Sequence, residues 1–302
     1  MRWSVIVLDM NSSQIPSAIV RQSRSIQGEH SALVPWWSVT KSVLAAAVLR
    51  LAELGSLNLD DRFEDWPFTI RQLLQHTSGL TTYGGPIYQQ AVANGDSVWA
   101  VDDLLERRNA RRLLFAPGEG WAYSNIGYLF IRQLIERVTG SDLNLALNQL
   151  MFAPMQINST RIAKTPNDMA QTLWGNPTNY DPSWVYHGLL IGPPTDAVEF
   201  LARLLAGNFL ATPSLSAMLE KRALGGELPN RPWKETGYGL GLMIGAMKDV
   251  GCAIGHSGVG HDTVSALYAF PDLPGRPVVA AFAQGTHEGI TEYEALRLAL
   301  ME

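Results

Sequence analysis

Ser38-Val39-Thr40-Lys41 opens a segment whose apolar residues recur at helical spacing as far as Leu54, with Gly55 placed to end the helix. Pro35 disfavours helical backbone at the residue before it, so we expect the helix to begin close to Ser38. In a helix, residues three apart lie on the same face, one turn from each other. The sequence therefore predicts a serine hydroxyl and a lysine amine side by side at a helix N-terminus.

This pair has two interpretations, one catalytic and one structural. A serine hydroxyl becomes a good nucleophile when a neighbouring group takes its proton, and a desolvated lysine can have its pKa lowered enough to do so. The helix N-terminus adds backbone N–H groups where an oxyanion would develop. A serine N-cap followed by a first-turn lysine is more often only structural, so the catalytic interpretation needs partners elsewhere in the chain.

The composition is that of an ordinary, rather apolar globular protein: 302 residues, 46% hydrophobic and 17% charged, with a mean hydropathy of +0.01. The net charge of −5 and the lack of a Lys/Arg run argue against nucleic acid as a partner. The single cysteine, Cys252, excludes an intrachain disulfide and a cysteine-cluster metal site. The six histidines show no paired ligand spacing, so neither a metal nor another cofactor is predicted.

The first residues predict a strand rather than a targeting or membrane segment. The apolar run 5–8 ends at Asp9 and is too short for a signal-peptide core or a membrane span. As given, the chain is expected to be cytoplasmic, and periplasmic or secreted if a leader was removed. Residues 3–9 and 17–24 are rich in strand formers and flank a turn at 11–13, which predicts an antiparallel hairpin.

Strand signals lie at both ends of the chain, and helical signals lie between them. We expect helices over 69–76, 102–112, 125–138 and 143–150, one capped by Thr195 or Asp196 that runs to 205, and a closing helix over 292–301. Further strands are expected over 238–244, 252–255, 264–270 and 277–283.

The simplest architecture for this order is α+β, an α/β sandwich in which one antiparallel sheet is flanked by helices and a helical lobe is inserted. We assign residues 1–56 and 185–302 to a discontinuous sheet domain and residues 57–184 to a mainly helical domain. An active site would lie in the cleft between them.

Tyr123 and Asn125 stand at the entrance of the predicted helix 125–138, where both side chains can face a cleft. Tyr123 would shuttle a proton if a neighbouring lysine lowered its pKa. Asn125 would hold Lys41 or a substrate amide by hydrogen bonds. In isolation, the favoured alternative is that Asn125 only caps the helix and Tyr123 only packs.

The glycine-rich run 255–260, Gly-His-Ser-Gly-Val-Gly, lies between two predicted strands. Glycine-rich backbone at a sheet edge can approach a substrate closely and offer an N–H group to an oxyanion. His256 would contact a substrate carboxylate or the Tyr123 hydroxyl. The alternative is a surface histidine in a glycine turn.

Together, Ser38–Lys41, Tyr123–Asn125 and His256–Gly258 resemble the three signature elements of the serine β-lactamase-like superfamily in order and separation. That superfamily includes class C β-lactamases, penicillin-binding D-Ala-D-Ala carboxypeptidases, D-aminopeptidases and family VIII carboxylesterases. The runs 76–80, 117–128 and 192–200 also resemble family features. The resemblance implies a β-lactamase/transpeptidase-like fold and an acyl-enzyme mechanism on a small-molecule acyl substrate.

The resemblance also implies a role for each matching residue. Ser38 would attack a carbonyl, with Lys41 and Tyr123 sharing the proton transfer. The N–H groups of Ser38 and Val259 would form the oxyanion hole, and Asn125 would orient Lys41 and the acyl side chain. The further residues that the resemblance assigns to substrate binding are His256, Ser257 and Gly258.

Two departures from the family pattern change what we expect of the substrate and of the sheet. The third element is His-Ser-Gly, where class C β-lactamases and most penicillin-binding proteins carry Lys-Thr-Gly, and histidine is mostly neutral at pH 7. We therefore expect an esterase-like hydrolase, with a true β-lactamase or a D-Ala or D-amino-acid peptidase as the alternative. The chain begins at the first strand, so the family's N-terminal helix is expected to be short or absent. The closing helix, or a partner chain in a homo-oligomer, would then cover the sheet.

Two other functions are alternatives to a serine hydrolase of this superfamily. An α/β-hydrolase is excluded because Gly-x-Ser-x-Gly would need glycine where Val259 stands, and too little chain follows Ser257 for the remaining triad. A non-catalytic penicillin-binding-like sensor or scaffold stays open because the rate of deacylation cannot be read from a sequence.

Overall fold

The structure, a computed structural model, describes residues 15–22 and 25–301, with strands mainly at the two ends of this part of the chain. The strands are β1 (Ser17–Val20), β2 (Gln27–Gly28), β3 (Val34–Pro35), β4 (Arg161–Ala163), β5 (Leu189–Gly192), β6 (Arg222–Gly225), β7 (Trp233–Tyr238), β8 (Met243–Met247), β9 (Gly251–Val259), β10 (Thr263–Ala269) and β11 (Val278–Gln284). The helices are α1 (Thr40–Glu53), α2 (Ile70–Leu74), α3 (Pro86–Asn94), α4 (Val101–Arg107), α5 (Asn125–Thr139), α6 (Leu143–Leu147), α7 (Pro166–Ala170), α8 (Pro194–Leu205), α9 (Thr212–Leu219) and α10 (Gly289–Leu300). The predicted strand 3–9, and with it the predicted hairpin, lies outside the described residues.

An eight-stranded antiparallel sheet joins the two ends of the described chain in the order β2-β1-β11-β10-β9-β8-β7-β6. The pairing that joins the two ends sets β1 beside β11, with Ser17 opposite Ala281. The expectation of one antiparallel sheet built from both chain ends is therefore confirmed. A second sheet of three short strands, β3-β5-β4, was not predicted, because strands of two to four residues are too short to show an alternating pattern.

Helices cover both faces of the large sheet. Along β10, Leu267 and Ala269 belong to the core shared with α1 and α8, whereas Ala266 and Tyr268 belong to the core shared with α10. This alternation is that of a strand buried on both sides. The closing helix therefore covers one sheet face, as the sequence predicted.

Helix α1 is the buried centre of the molecule. Every residue from Thr40 to Leu49 is buried, so this helix is enclosed on all sides rather than amphipathic. Burying each large aliphatic side chain stabilises the fold by about 1.5–3 kcal/mol. At its end, Gly55 adopts φ +73°, which confirms the predicted helix stop. The serine and lysine at its start are thereby held by the core.

Several predicted helix boundaries were wrong for local reasons. Helix α4 ends at Arg107 rather than 112, because Asn109 turns into the left-handed region at φ +47°. The α-helix predicted over 143–150 ends at Leu147. The chain then forms a wider π-helical turn over Asn148–Phe152. Neither Thr195 nor Asp196 caps α8, because the helix already begins at Pro194, a residue suited to the first helical position.

The glycine-rich segments were also misassigned in part. Residues 238–244 are not one strand: β7 ends at Tyr238 and β8 begins at Met243, with Gly241 at φ +73° in the turn between them. Residues 255–259 are not a turn but the continuation of β9, which is hydrogen-bonded to β10 as far as Val259. His256 is accordingly a buried strand residue rather than a surface one.

Candidate active site

Ser38 lies in a 3-10 turn, Trp37–Val39, immediately before α1. Trp37 holds this turn with φ +45°, a conformation that costs a non-glycine residue on the order of 1–2 kcal/mol. Its indole donates a 2.8 Å hydrogen bond to Thr263 Oγ1. A Cβ on Gly260 would lie 2.1 Å from the same ring, so only glycine allows the ring to pack there. These contacts fix the position of the Ser38 hydroxyl.

Lys41 is a fully buried lysine beside Ser38. Its Nζ lies 3.1 Å from Ser38 Oγ and 5.1 Å from the centroid of the Tyr123 ring. Burial holds the pKa of Lys41 well below its usual range. No carboxylate lies within ion-pairing distance of Lys41 among the described residues. Burial therefore favours the uncharged amine, the form that can accept a proton.

His187 is the second hydrogen-bonding partner of Lys41, and the sequence analysis missed it. Its Nε2 lies 3.1 Å from Lys41 Nζ, and its Nδ1 lies 2.7 Å from the hydroxyl of Tyr83. All three side chains are buried. Burial and the nearby Lys41 hold the pKa of His187 well below its usual range, so the imidazole is neutral at pH 7.

Tyr123 reaches the site because of the capping of α5. The Ser124 hydroxyl accepts a 3.0 Å hydrogen bond from Gly127 N and donates one of 2.7 Å to Thr81 O. His76 Nδ1 accepts from the backbone N–H of Ser124 at 3.1 Å. The loop before α5 is thus tied on two sides, and this places Tyr123 against Lys41.

The condition set for Tyr123 as a proton shuttle, a lowered pKa, is not met. Burial raises the pKa of Tyr123 above its ordinary value, and the nearby Ser38 hydroxyl offsets only part of this effect. Lys41 is not among the groups that lower the pKa of Tyr123. Tyr123 is therefore a phenol at pH 7, suited to donating a proton rather than to removing one from Ser38.

Asn125 does not bond to Lys41. Among the described residues, the hydrogen bonds of Lys41 Nζ are those to Ser38 and His187. Asn125 instead donates from its backbone to Thr82 Oγ1 at 3.1 Å, while its side-chain Oδ1 is buried and has no partner in the described structure. An unpaired buried oxygen is costly, so this atom is available to a substrate N–H or O–H group.

Strand β9 brings backbone to Ser38 because its neighbour on one side is shorter. Pairing with β8 stops at Gly255, whereas pairing with β10 continues to Val259. The freed edge faces the nucleophile: a Cβ on Gly258 would lie 2.5 Å from Ser38 N. Val259 and Ser38 line the same cavity. Although β9 is an interior strand, the predicted close approach of glycine-rich backbone is present over 256–259.

His256 is buried and bonds to Tyr238. Its Nε2 lies 2.9 Å from the Tyr238 hydroxyl, and its ring is 6.2 Å from that of Tyr123, centroid to centroid. Burial lowers its pKa to about 3, so it carries no charge at pH 7. The expected contact with the Tyr123 hydroxyl is therefore absent from the described structure, where His256 bonds to Tyr238 instead.

Ser257 faces away from His256, as neighbouring strand residues do. Its hydroxyl accepts a 2.8 Å hydrogen bond from Arg231 Nη2. The same guanidinium donates to both oxygens of Glu292, at 2.7 Å from Nε and 2.5 Å from Nη2. The Arg231 charge beside the third element is therefore already neutralised by a buried carboxylate.

The family assignment follows from comparison with known proteins. The sequence pattern described as Beta-lactamase matches residues 22–300, nearly the whole chain. The chain belongs to the Beta-lactamase family. Family members share this arrangement of sheet and helices, so the resemblance inferred from the three sequence elements is confirmed.

Two curated relatives match parts of this Beta-lactamase family member. Penicillin-binding protein 4* of Bacillus subtilis (strain 168) is 34% identical over 136 residues, 41% of this chain and 29% of that protein. The esterase EstB of Burkholderia gladioli is 34% identical over 139 residues, 39% of this chain and 35% of that protein. The matched segments thus span about a third of the length of these relatives.

Solved structures share the fold over 95% of this chain. A D-stereospecific amidohydrolase from Streptomyces sp. has a TM-score of 0.78 at 23% identity, with 95% of this chain and 94% of that chain covered. A D-amino acid amidase from Ochrobactrum anthropi SV3 has a TM-score of 0.76 at 20% identity, with 95% and 92% covered. The predicted β-lactamase/transpeptidase-like fold is thereby confirmed.

The site of this family member opens into a cavity of about 350 Å³. Ser38, Asn125, His187 and His261 line this cavity, and among the described residues that line it there is no Asp, Glu, Lys or Arg. Aromatic and aliphatic side chains form most of the wall: Trp37, Tyr83, Tyr88, Val92, Tyr180 and Val185. Such a cavity suits an uncharged, apolar group. Within the described residues, no helix is long and apolar enough to cross a bilayer.

Proposed function

We propose that this protein is a serine hydrolase of the β-lactamase-like superfamily that cleaves small, uncharged esters through an acyl-enzyme on Ser38. The observation that carries the proposal is the 3.1 Å contact between Ser38 Oγ and the fully buried Nζ of Lys41. An amine whose pKa is lowered by burial can take the serine proton as the serine attacks.

In the proposed reaction, Ser38 Oγ bonds to the substrate carbonyl carbon while its proton passes to Lys41 Nζ. The resulting oxyanion is stabilised by the backbone N–H groups of Ser38 and Val259. Tyr123, a phenol in the resting state, gives its proton to the leaving alcohol and regains one from Lys41. Water then adds to the acyl-enzyme by the reverse sequence and releases the acid.

The cavity supports an ester with an apolar acyl group in preference to the two alternative substrates. A β-lactam or a peptide ending in D-alanine carries a carboxylate, which is best held by a cation. The histidine at the third element is neutral, and the nearest arginine, Arg231, is paired with Glu292. The ammonium group of a D-amino-acid amide is best held by a carboxylate, and the described lining contains none.

The first prediction concerns the nucleophile. Ser38→Ala should abolish hydrolysis of p-nitrophenyl acetate and butyrate, measured as release of p-nitrophenol. It should also prevent covalent labelling by a fluorophosphonate, measured as the intact mass of the protein. Ser42→Ala is the matched control, since Ser42 is a buried serine one turn further along the same segment, and its hydroxyl bonds to Gly241 O at 2.7 Å. That variant should still be labelled.

A Ser38→Ala protein that hydrolyses esters as well as the parent would refute the proposal. A panel of short esters, nitrocefin and D-amino-acid amides then ranks the substrate classes, and faster turnover of nitrocefin or an amide than of any ester would favour the alternatives. Stoichiometric acylation without turnover would instead support a non-catalytic sensor.

A further inference from the structure

A chain of buried hydrogen bonds leads from the nucleophile into the helical part of the molecule and ends on groups to which the reaction above gives no role. It runs from Ser38 Oγ to Lys41 Nζ at 3.1 Å, from Lys41 to His187 Nε2 at 3.1 Å, and from His187 Nδ1 to Tyr83 at 2.7 Å. His187 also lines the substrate cavity, so it lies beside the reacting atoms.

The proposed reaction creates a positive charge on Lys41, which the residues around it must stabilise. When Lys41 takes the serine proton, an ammonium group forms in a fully buried position, where an unpaired charge is costly. The ionisable groups that face Lys41 and His187 in the described structure are tyrosines, histidines and one arginine rather than carboxylates: Tyr83, Tyr123, Tyr128, His76, His256 and Arg132. The hydrogen-bond acceptor that remains for the ammonium, apart from Ser38, is His187 Nε2.

The proton on His187 decides what Lys41 can do. If Nδ1 carries it and donates to the Tyr83 oxygen, then Nε2 accepts an N–H of Lys41 and leaves the lysine lone pair free for Ser38. If Nε2 carries it, that N–H occupies the lone pair and Lys41 cannot act as a base. The reaction therefore requires the first tautomer, in which the Tyr83 oxygen, 2.7 Å away, accepts from Nδ1.

We propose that His187, oriented by Tyr83, is a positioning residue that accepts a hydrogen bond from Lys41 and shares the positive charge that Lys41 gains when Ser38 is acylated. The inference rests on the proposed function. The proton itself stays on Lys41 until Tyr123 passes one to the leaving group, so no proton is lost to the chain beyond His187.

The direction in which the pKa of Lys41 shifts when His187 is replaced tests the proposal independently of turnover. The chain has five lysines, so lysine labelled with 13C at Cε gives a simple NMR spectrum in which Lys41 is identified by Lys41→Met. His187→Leu removes an acceptor that stabilises the ammonium form and should lower the pKa of Lys41 by about one unit. His187→Gln, which matches leucine in size but retains an acceptor, should leave it near the parent value.

Acylation kinetics provide the second readout. With p-nitrophenyl acetate, His187→Leu should lower the maximal acylation rate about tenfold and move the acidic limb of its pH profile to lower pH, whereas His187→Gln should restore both. Tyr83→Phe should show a smaller shift of the same sign. Tyr186→Phe is its control, because Tyr186 packs beside Tyr83 and its hydroxyl bonds to Trp99 O at 3.0 Å rather than to His187.

Three results would overturn the inference: a raised pKa of Lys41 in His187→Leu, a pKa that does not move, or equal losses in the leucine and glutamine variants. A raised value would show that His187 donates to Lys41 instead. A parent protein that never acylates Ser38 would refute the proposed function, whereas an unmoved Lys41 in a parent that does acylate would refute this inference alone.

Discussion

At the residue scale, Lys41 shows how a catalytic property is obtained at the expense of stability. The amine is fully buried without a carboxylate partner, and burial lowers its pKa. The unfolded chain holds the proton of Lys41 up to a pH of about 10.4, whereas the folded protein releases it at lower pH. Because the unfolded state binds more protons in that interval, stability rises with pH there, and at pH 7 Lys41 opposes folding.

Replacing this amine should therefore stabilise the protein while destroying its activity. Lys41→Met should raise the melting temperature at pH 7 and abolish labelling of Ser38, and the gain should shrink as the pH approaches about 10. Calorimetric melts at several pH values measure this, with each kcal/mol worth about 2–4 °C. The exposed Lys248→Met is the control and should change little. A destabilised Lys41→Met protein at pH 7 would contradict the prediction.

At the scale of elements, the site depends on how closely β9 approaches the start of α1. The strand loses its β8 neighbour after Gly255, and the Ser38 turn occupies the place that a further strand residue would take. Glycine at 258 is what permits this packing, since a methyl group there would lie 2.5 Å from Ser38 N. The spacing of the proposed oxyanion donors, the N–H groups of Ser38 and Val259, is thus set by the contact between a strand and the start of a helix.

Gly258→Ala should separate these two elements. We expect acylation of Ser38 to fall at least tenfold and the fold to lose about 1–3 kcal/mol, because the methyl group forces the backbones apart. Gly226→Ala is the matched control, since the nearest atom to a Cβ there is 3.8 Å away. Labelling rates and denaturant unfolding distinguish the variants. If Gly258→Ala acylates like Gly226→Ala, this contact is not needed.

At the scale of the whole molecule, one buried ion pair connects the closing helix to the sheet behind the site. Glu292 of α10 is fully buried and accepts hydrogen bonds from Arg231, Trp233 Nε1 at 3.1 Å and the Tyr268 hydroxyl at 3.0 Å. Through Arg231 it also reaches Ser257 on β9. The end of the chain is thereby joined to the third sequence element.

Removing the Glu292 carboxylate should lower the free energy of unfolding, because it leaves the buried Arg231 cation without its ion-pair partner. Glu292→Gln leaves Arg231 with only the more distant Glu288, 3.8 Å away, and should destabilise the fold by about 3–5 kcal/mol in urea unfolding. Glu294→Gln on the same helix breaks the pair with the exposed Arg297 and should cost about 0–1 kcal/mol. Equal losses in the two variants would show that the buried pair is not the connection described here.

Local sequence was sufficient wherever one element carries the information. The spacing of Ser38 and Lys41 predicted that they meet, because one helical turn joins them, and the apolar pattern predicted the buried helix that follows. The strand-rich ends predicted the sheet. The glycines around His256 predicted close backbone approach, although not that β9 continues through them.

Tertiary structure alone decided the protonation states and the partners of Lys41. His187 is 146 residues from Lys41 in the chain, and Tyr83 is 104 residues from His187, so no local spacing brings them together. The pKa values of Lys41, Tyr123 and His256 are shifted mainly by burial, which depends on elements packed from both halves of the molecule. The sequence by itself determined which groups could react, and the packing of distant segments shifted their pKa values toward the uncharged forms.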